Sequence, residues 1–217
     1  MTARDEILSR LRRRAPDAPP PPPLPPVRST ALLEQPPFAS RLAAFTAMLA
    51  KLGTTVEHVP DLATATRRTT ELLAEHGARS LACSDHPLVA DLAAALPTDI
   101  ERLAHDAPRD DLLRAEAGLS SAQWAVAETG TLVLVSADER HRLCTLLPDL
   151  HIALVPASRL VATLGCAFAR LQPDAAPAGQ TITFVTGPSR TADIELTLVV
   201  GVHGPKALRV LVVDDQD

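Results

Sequence analysis

Aromatic side chains are nearly missing from this chain. Its 217 residues include no tyrosine, one tryptophan and four phenylalanines. With so few rings to stack on bases, it has no platform for single-stranded nucleic acid. Positive charge is also short: 21 Lys and Arg against 26 Asp and Glu leave a net charge of -5. That balance argues against general binding to a phosphate backbone, which needs clustered cations. Lys51 and Lys206 are the only lysines, so the basic residues are almost all Arg. Cys83, Cys144 and Cys166 lie far apart, and no C-x-x-C pair exists. The spacing therefore gives neither a zinc-finger nor an iron–sulphur ligand set. Scattered cysteines suit a reducing compartment, where they pack as small apolar groups. The most apolar long run, residues 152–169, is broken by Pro156, Ser158 and Arg159. It reads as strand, turn and helix rather than a membrane span. The opening MTARDEILSRLRRRAP lacks the apolar centre of a secretion signal. Neither G-x-G-x-x-G nor G-x-x-x-x-G-K-[ST] occurs, so a standard dinucleotide or P-loop site is unsupported. The expectation is a soluble, cytoplasmic protein that binds neither nucleic acid nor membrane.

What is present is enough apolar residue, 46%, to build a core from Leu, Val, Ala and Ile. The expected organisation is an N-terminal helix and polyproline spacer over 1–37, then a single domain over 38–217. Residues 3–14 have helical character, with Ile7, Leu8 and Leu11 on one side. Such a short helix is either solvated or a docking arm. PDAPPPPPLPP at 16–26 has too few N–H groups for helix or central strand and reads as an extended spacer. Leu42, Phe45, Met48, Leu49 and Leu52 recur at helical spacing over 39–52, ended by Gly53. Strand, helix and strand follow at 54–59, 62–76 and 79–83, with Asp61 as cap and Gly77 as terminator. A helix over 86–95 and a strand over 99–103 continue the alternation, which points to parallel pairing with right-handed crossovers. Two extended runs then flank a turn at Gly130, and a short helix or turn fills 139–146. A strand at 151–155 is followed by a helix capped by Ser158, with Leu160, Val161, Leu164, Phe168 and Leu171 on one face. After a loop at 172–180, strands are expected at 181–185 and 208–213.

The densest chemistry lies in TGPSRTADIELTLVVGVHGP, residues 186–205. Gly187-Pro188 ends a strand; Ser189, Arg190 and Thr191 place two hydroxyls and a guanidinium on one turn. Gly201 and Gly204-Pro205 make a second turn around His203. Free turn amides, hydroxyls and Arg together suit a carboxylate or phosphate. Three motifs stand in order along the chain: AETGT at 127–131, LPDLHI at 147–152, and GPSRTADIE with GVHGP at 187–205.

In these motifs the chain resembles the LUD-domain family, in the LutC/YkgG group of lactate utilization proteins, over roughly residues 40–213. The resemblance implies an α/β three-layer fold, α/β/α, with a mostly parallel sheet plus antiparallel strands, similar to the NagB/RpiA/CoA transferase-like fold. It implies a component of a cytoplasmic system that oxidises L-lactate to pyruvate. There the iron–sulphur clusters sit in partner subunits, and this chain carries no cofactor. The alternative it leaves open is a free-standing transferase or isomerase acting on a phosphorylated or CoA-linked substrate. The chain's own catalytic role and its oligomeric state, homo-oligomer included, stay open.

Glu128 and His203 are the catalytic candidates. A carboxylate at a strand end can act as base or, as in the CoA transferases of the wider superfamily, as nucleophile; otherwise it anchors turn amides. His203 either exchanges a proton near neutral pH or ties its own loop. Thr129, Gly130, Gly187, Ser189, Arg190, Thr191, Asp193 and Gly204 are the expected ligand contacts. Thr191 can also cap a short helix with Asp193 and Glu195 in its first turn. A Ser189–His203–Asp193 triad is disfavoured, because Ser189 is not in G-x-S-x-G. His141, Arg142 and His151 either line the same cleft or lie at the surface, and Trp124 belongs to the core. No metal ligand is expected.

Overall fold

The computed structural model describes residues 3–14, 35–136, 139–140, 142–171, 181–192, 198–200 and 204–215. The chain divides into two units, residues 1–30 and 31–217. In the first, α1 (Ala3–Arg14) carries Asp5 and Glu6 in its first turn, where the helix dipole favours them. Arg10 donates to Glu6 one turn away, 2.8 Å. The polyproline stretch lies outside the described residues.

The second unit alternates helix and strand from α2 (Phe38–Ala50) and β1 (Thr55–Val59) through α3 (Leu62–Glu75), β2 (Ser80–Cys83), α4 (Pro87–Ala95) and β3 (Glu101–Leu103). Local signals set these bounds. Asp61 accepts the Thr64 N–H at 2.6 Å and caps α3, and Gly77 at φ 65° follows the helix's end. Pro87 opens α4, where its missing N–H is not needed. Next come α5 (Arg109–Leu112), β4 (Ala117–Ser121), β5 (Trp124–Val126), β6 (Thr131–Val135), α6 (Arg142–Leu146) and β7 (Leu150–Pro156). The order ends with β8 (Leu160–Val161), α7 (Leu164–Arg170), β9 (Ile182–Val185), β10 (Arg190–Ala192), β11 (Leu198–Val200) and β12 (Ala207–Val213).

Six strands form one sheet in the order β1-β12-β7-β4-β2-β3, with every pairing parallel. Its central strands are buried on both faces: β7 is apolar apart from His151, and β4 is built of small residues around Leu119. On one face, α3 and α4 pack Leu72, Leu73, Val89 and Leu92 against Leu81, Leu119, Ile152 and Leu211. On the other, Phe45 and Leu49 of α2 join Leu132 and Leu160 against Val155, Leu208 and Val210. The short α5 and α6 cover the remainder, with Leu112 and Cys144 over Ala82. Here α6 comes so close that a Cβ on Gly118 would lie 1.7 Å from the Cys144 carbonyl oxygen.

A second sheet runs β8-β5-β6-β9. Its β5–β6 and β6–β9 pairs are antiparallel, and β5–β8 is parallel. The antiparallel β5–β6 pair is the hairpin expected around Gly130. One face of β6 gives Leu132 to the α2 cluster; the other gives Val133 to Val126, Val161, Cys166 and Ala167 beneath α7. The α/β class with a mostly parallel sheet and added antiparallel strands is thus what the structure has.

Two local expectations are overturned. Ser158 does not cap a helix through Leu160 and Val161. Those two residues form β8 and pair with Ala125 and Val126, so sheet pairing outweighs the helical spacing. α7 begins at Leu164 with Thr163 as its cap, Oγ1 accepting the Cys166 N–H at 3.2 Å. Ser158 instead donates its N–H to Asp215 at 2.9 Å, and its hydroxyl meets the same carboxylate. Thr191 does not cap a helix either: it lies in β10, opposite Val199 of β11.

Candidate functional site

The ETGT corner closes the β5–β6 hairpin. Gly130 donates its N–H to the Val126 carbonyl at 3.0 Å and sits at φ 67°. A Cβ there would come within 3.1 Å of Met48 Cβ and Leu49 Cγ, so glycine is needed for both backbone angle and close approach to α2. The strand before the corner is pinned by Ala127 N–H to Val161 and Glu128 N–H to Ala162, at 2.8 and 3.0 Å. Those bonds carry Glu128 to the start of α7, where its Oε1 accepts the Leu164 N–H at 2.6 Å. The side chain is exposed, and among the described residues Oε2 has no hydrogen-bond partner. Glu128 therefore anchors a turn amide with one oxygen.

Three hydroxyls join the corner to the next motif. Thr129 Oγ1 lies 2.7 Å from Thr131 Oγ1, and Thr131 Oγ1 lies 2.7 Å from Thr186 Oγ1. Register explains the second contact: Leu132 pairs with Val185, so Thr131 and Thr186 fall opposite one another. Gly187, at φ 83°, then turns the chain; a Cβ there would meet Leu52 Cβ at 3.0 Å. Ser189 donates its N–H to the Pro205 carbonyl at 2.9 Å. A Cβ on Gly204 would lie 3.2 Å from Ser189 Cβ. The structure thus brings together Glu128, Thr129 and Gly130 with Thr186 and Gly187, and Ser189 with Gly204. Arg190 and Thr191 are described through their backbone in β10, and their side chains lie outside the described residues. Asp193, Gly201, His203 and His141 also lie outside the described residues, as does the side chain of Arg142.

A second polar cluster was missed in the sequence. Along the large sheet the chain leaves β2 toward β3 and leaves β4 in the opposite direction, toward β7. Crevices at such reversals, beyond the strands' carboxyl ends, are common ligand sites. Here Ser84 extends the β2–β4 pairing, its N–H donating to the Leu119 carbonyl at 3.1 Å. Its hydroxyl is buried and has no partner among the described residues. Ser120 Oγ meets His151 Nε2 at 2.8 Å, both buried; His151 is thus neither in the corner nor at the surface. Buried Glu139 accepts the Ser121 N–H at 2.7 Å and the Gln123 side chain at 2.8 Å. Arg140 ties this segment to the β2–α4 turn through its N–H and Nε on Asp85. Burial alone would raise the Asp85 carboxyl, but the Arg140 N–H and nearby His105 bring it below its ordinary value. The signal available was the pair of Ser-bearing strand ends, LACSD and GLSSA.

All three cysteines are buried and free. Burial pushes the Cys83 thiol up to about 11 and raises Cys144 well above its ordinary value. Neither offers a thiolate at neutral pH. Among the described residues no group of three His, Cys, Asp or Glu is placed to hold a metal, and no helix is long and apolar enough to cross a membrane.

Comparison with known proteins agrees with the motifs. Lactate utilization protein C of Halalkalibacterium halodurans is 39% identical over 55% of this chain and 51% of its own length. Lactate utilization protein C of Exiguobacterium sp. is 37% identical over 64% of this chain and 63% of its own. The chain therefore spans between about half and two thirds of those relatives. A crystal structure of a DUF162 family protein from Deinococcus radiodurans superposes with a TM-score of 0.61 at 26% identity, covering 82% of this chain and 99% of that one. Residues 42–213 match the LUD domain, and the chain belongs to the LUD domain family.

Proposed function

We propose that this chain is a component of a lactate-utilization system. The observation that carries the reading is its similarity to several proteins named lactate utilization protein C. The finer assignment is that the chain binds a small carboxylate at the ETGT corner and supports iron–sulphur partner subunits that oxidise L-lactate to pyruvate. The corner offers polar partners to such a ligand's hydroxyl: Glu128 is held by one oxygen at the start of α7, and the Thr129–Thr131–Thr186 hydroxyls form a chain at the same hairpin. Arg190, Thr191, Asp193 and His203 complete the proposed contacts, with Arg190 meeting the carboxylate and His203 exchanging the hydroxyl proton. In this reading the clusters that accept the electrons sit in the partner subunits.

Deleting the gene is expected to abolish growth on L-lactate while growth on pyruvate continues. Equal growth of the deleted strain on both sources overturns the reading. The Glu128 oxygen that has no partner among the described residues favours one alternative, a carboxylate nucleophile in a transferase. Thermal shifts with lactate, pyruvate, coenzyme A and sugar phosphates separate the two. A coenzyme A response lost in Glu128→Gln supports the transferase, and a lactate or pyruvate response lost in Arg190→Ala supports the first reading.

A further inference from the structure

The outer face of the small sheet carries a surface that neither the core nor the ETGT corner uses. Trp124, Val133 and Phe184 stand in one cross-strand row, because Trp124 pairs with Val133 and Val133 with Phe184. Ile182, opposite Val135, shares that face. α7 covers the row only in part. Its Cys166 and Ala167 are buried against it, while Phe168 leans on Phe184 with ring centroids 5.6 Å apart. Phe168 stays 49% exposed, Phe184 42% and Ile182 41%. An aromatic-poor chain thus spends its one tryptophan and two of its four phenylalanines here.

Charge accompanies the rings. The guanidinium carbons of Arg159 and Arg170 lie 4.7 and 5.3 Å from the Trp124 ring centroid. Neither arginine is in an ion pair among the described residues. In a chain of net charge -5, two cations over one ring beside exposed apolar groups are conspicuous; the acid near Arg159 is Asp215, which Ser158 already holds. Trp, Phe and Arg in one patch are the composition of interface hot spots, and adjoining exposed apolar groups mark interaction faces. A two-fold contact would set this patch against itself and crowd four guanidiniums around two copies of Asp215, each already held by Ser158. The complement is a different surface that brings the acid.

We propose that this face docks a protein partner that seats an apolar side chain between Phe168 and Phe184 and sets carboxylates against Arg159 and Arg170. The proposal rests on the reading above only in that the chain works with partner subunits. The test uses the full chain and, as probes, the iron–sulphur cluster proteins of the proposed lactate-utilization system, with affinity measured by sedimentation. Phe168→Glu with Phe184→Glu is expected to weaken binding about 30-fold or more, and Arg159→Glu with Arg170→Glu about 10-fold or more. Glu101→Lys, on the far edge strand β3, is expected to leave it unchanged. All four aromatic and Arg positions are solvent-facing, so melting curves should match wild type; should the Phe pair unfold, the Arg pair decides. Unchanged binding in the folded variants overturns the proposal. So does patch-dependent self-association, or patch-dependent binding to phosphatidylserine vesicles in place of protein. A strain that needs the gene for lactate growth while its chain binds none of the cluster proteins overturns the proposal and leaves the lactate reading standing. Patch-dependent binding in a strain that grows on lactate without the gene does the reverse.

Discussion

The two larger sheets among the described residues are built from the same aliphatic residues and do different things with them. In the large sheet every pairing is parallel, and β4 and β7 are buried on both faces. In the small sheet, β6 is as deeply buried, but β9 alternates exposed and half-buried side chains along an outer edge. The motif residues divide accordingly. Glu128, Thr129 and Gly130 join β5 to β6, and Gly187 and Ser189 follow β9; of the described site residues only Gly204 adjoins the large sheet, before β12. A fully covered sheet leaves only its strand ends for chemistry. The strand ends and turns of the small sheet are where backbone angle, hydroxyls and a carboxylate reach solvent together.

The largest effect that separates the two regions is expected at Gly118. Its added Cβ would fall 1.7 Å from a backbone oxygen of α6, which cannot swing aside as a side chain can. Gly118→Ala is expected to cost more than about 3 kcal/mol or to prevent folding. Thermal melts and soluble yield read this directly. A variant melting within a few degrees of wild type would show that α6 rides loosely on the large sheet.

Next in size is the question of whether the small sheet is an appendage. Leu132 is fully buried in the cluster that α2 shares with the large sheet. Leu132→Ala is expected to destabilise by about 2–3 kcal/mol, with the whole second unit still unfolding in one transition. Leu81→Ala in the large sheet is the matched control. A first, separate transition in the Leu132 variant alone would make the small sheet an independent unit.

Much of this division was legible in the sequence. Alternating helical and strand patterns through residue 103 gave the parallel half, and local boundary signals supported it: Asp61 as cap and Gly77 as terminator of α3 both act in the structure. Where the chain crosses between sheets, periodicity misled. Leu160 and Val161 fit a helical face, yet β5 offers them strand partners that no local pattern encodes. Thr191, read as a helix cap, found β11 for the same reason. The corner was visible because glycines mark it. The buried Ser120–His151 pair and Glu139 were not, since serine and acid near a strand end look like ordinary surface until the strand order is known.

A smaller effect tests whether the corner works as a unit. Thr131 is buried, and its hydroxyl is the middle of the Thr129–Thr131–Thr186 chain. Thr131→Val keeps the shape and the β-branching but removes both hydrogen bonds. A loss of about 1 kcal/mol is expected from urea melts, accompanied by a larger loss of growth on lactate than Leu81→Ala gives. Equal growth defects in the two variants would reduce the hydroxyl chain to ordinary packing.

The smallest expected effect lies on the large sheet and should touch stability alone. Glu116 Oε2 accepts the Arg79 N–H at 2.6 Å and the Ser80 N–H at 3.1 Å, stitching the amino ends of β4 and β2. The Arg79 N–H, foremost, holds its carboxyl below the ordinary 4.5. A carboxylate whose folded pKa is depressed stabilises the fold above its unfolded pKa, and the contribution is lost as pH falls through the folded value. Glu116→Gln is therefore expected to melt slightly below wild type at neutral pH, by less than about 1 kcal/mol because the site is exposed. The two curves should converge on acidification below the ordinary 4.5, as pH falls through the depressed folded pKa. Melts from about pH 3 to pH 7 check the convergence, and growth on lactate should be unchanged. A gap that widened on acidification would mean that the protonated form is the one the Arg79 and Ser80 amides prefer, which their donor character forbids.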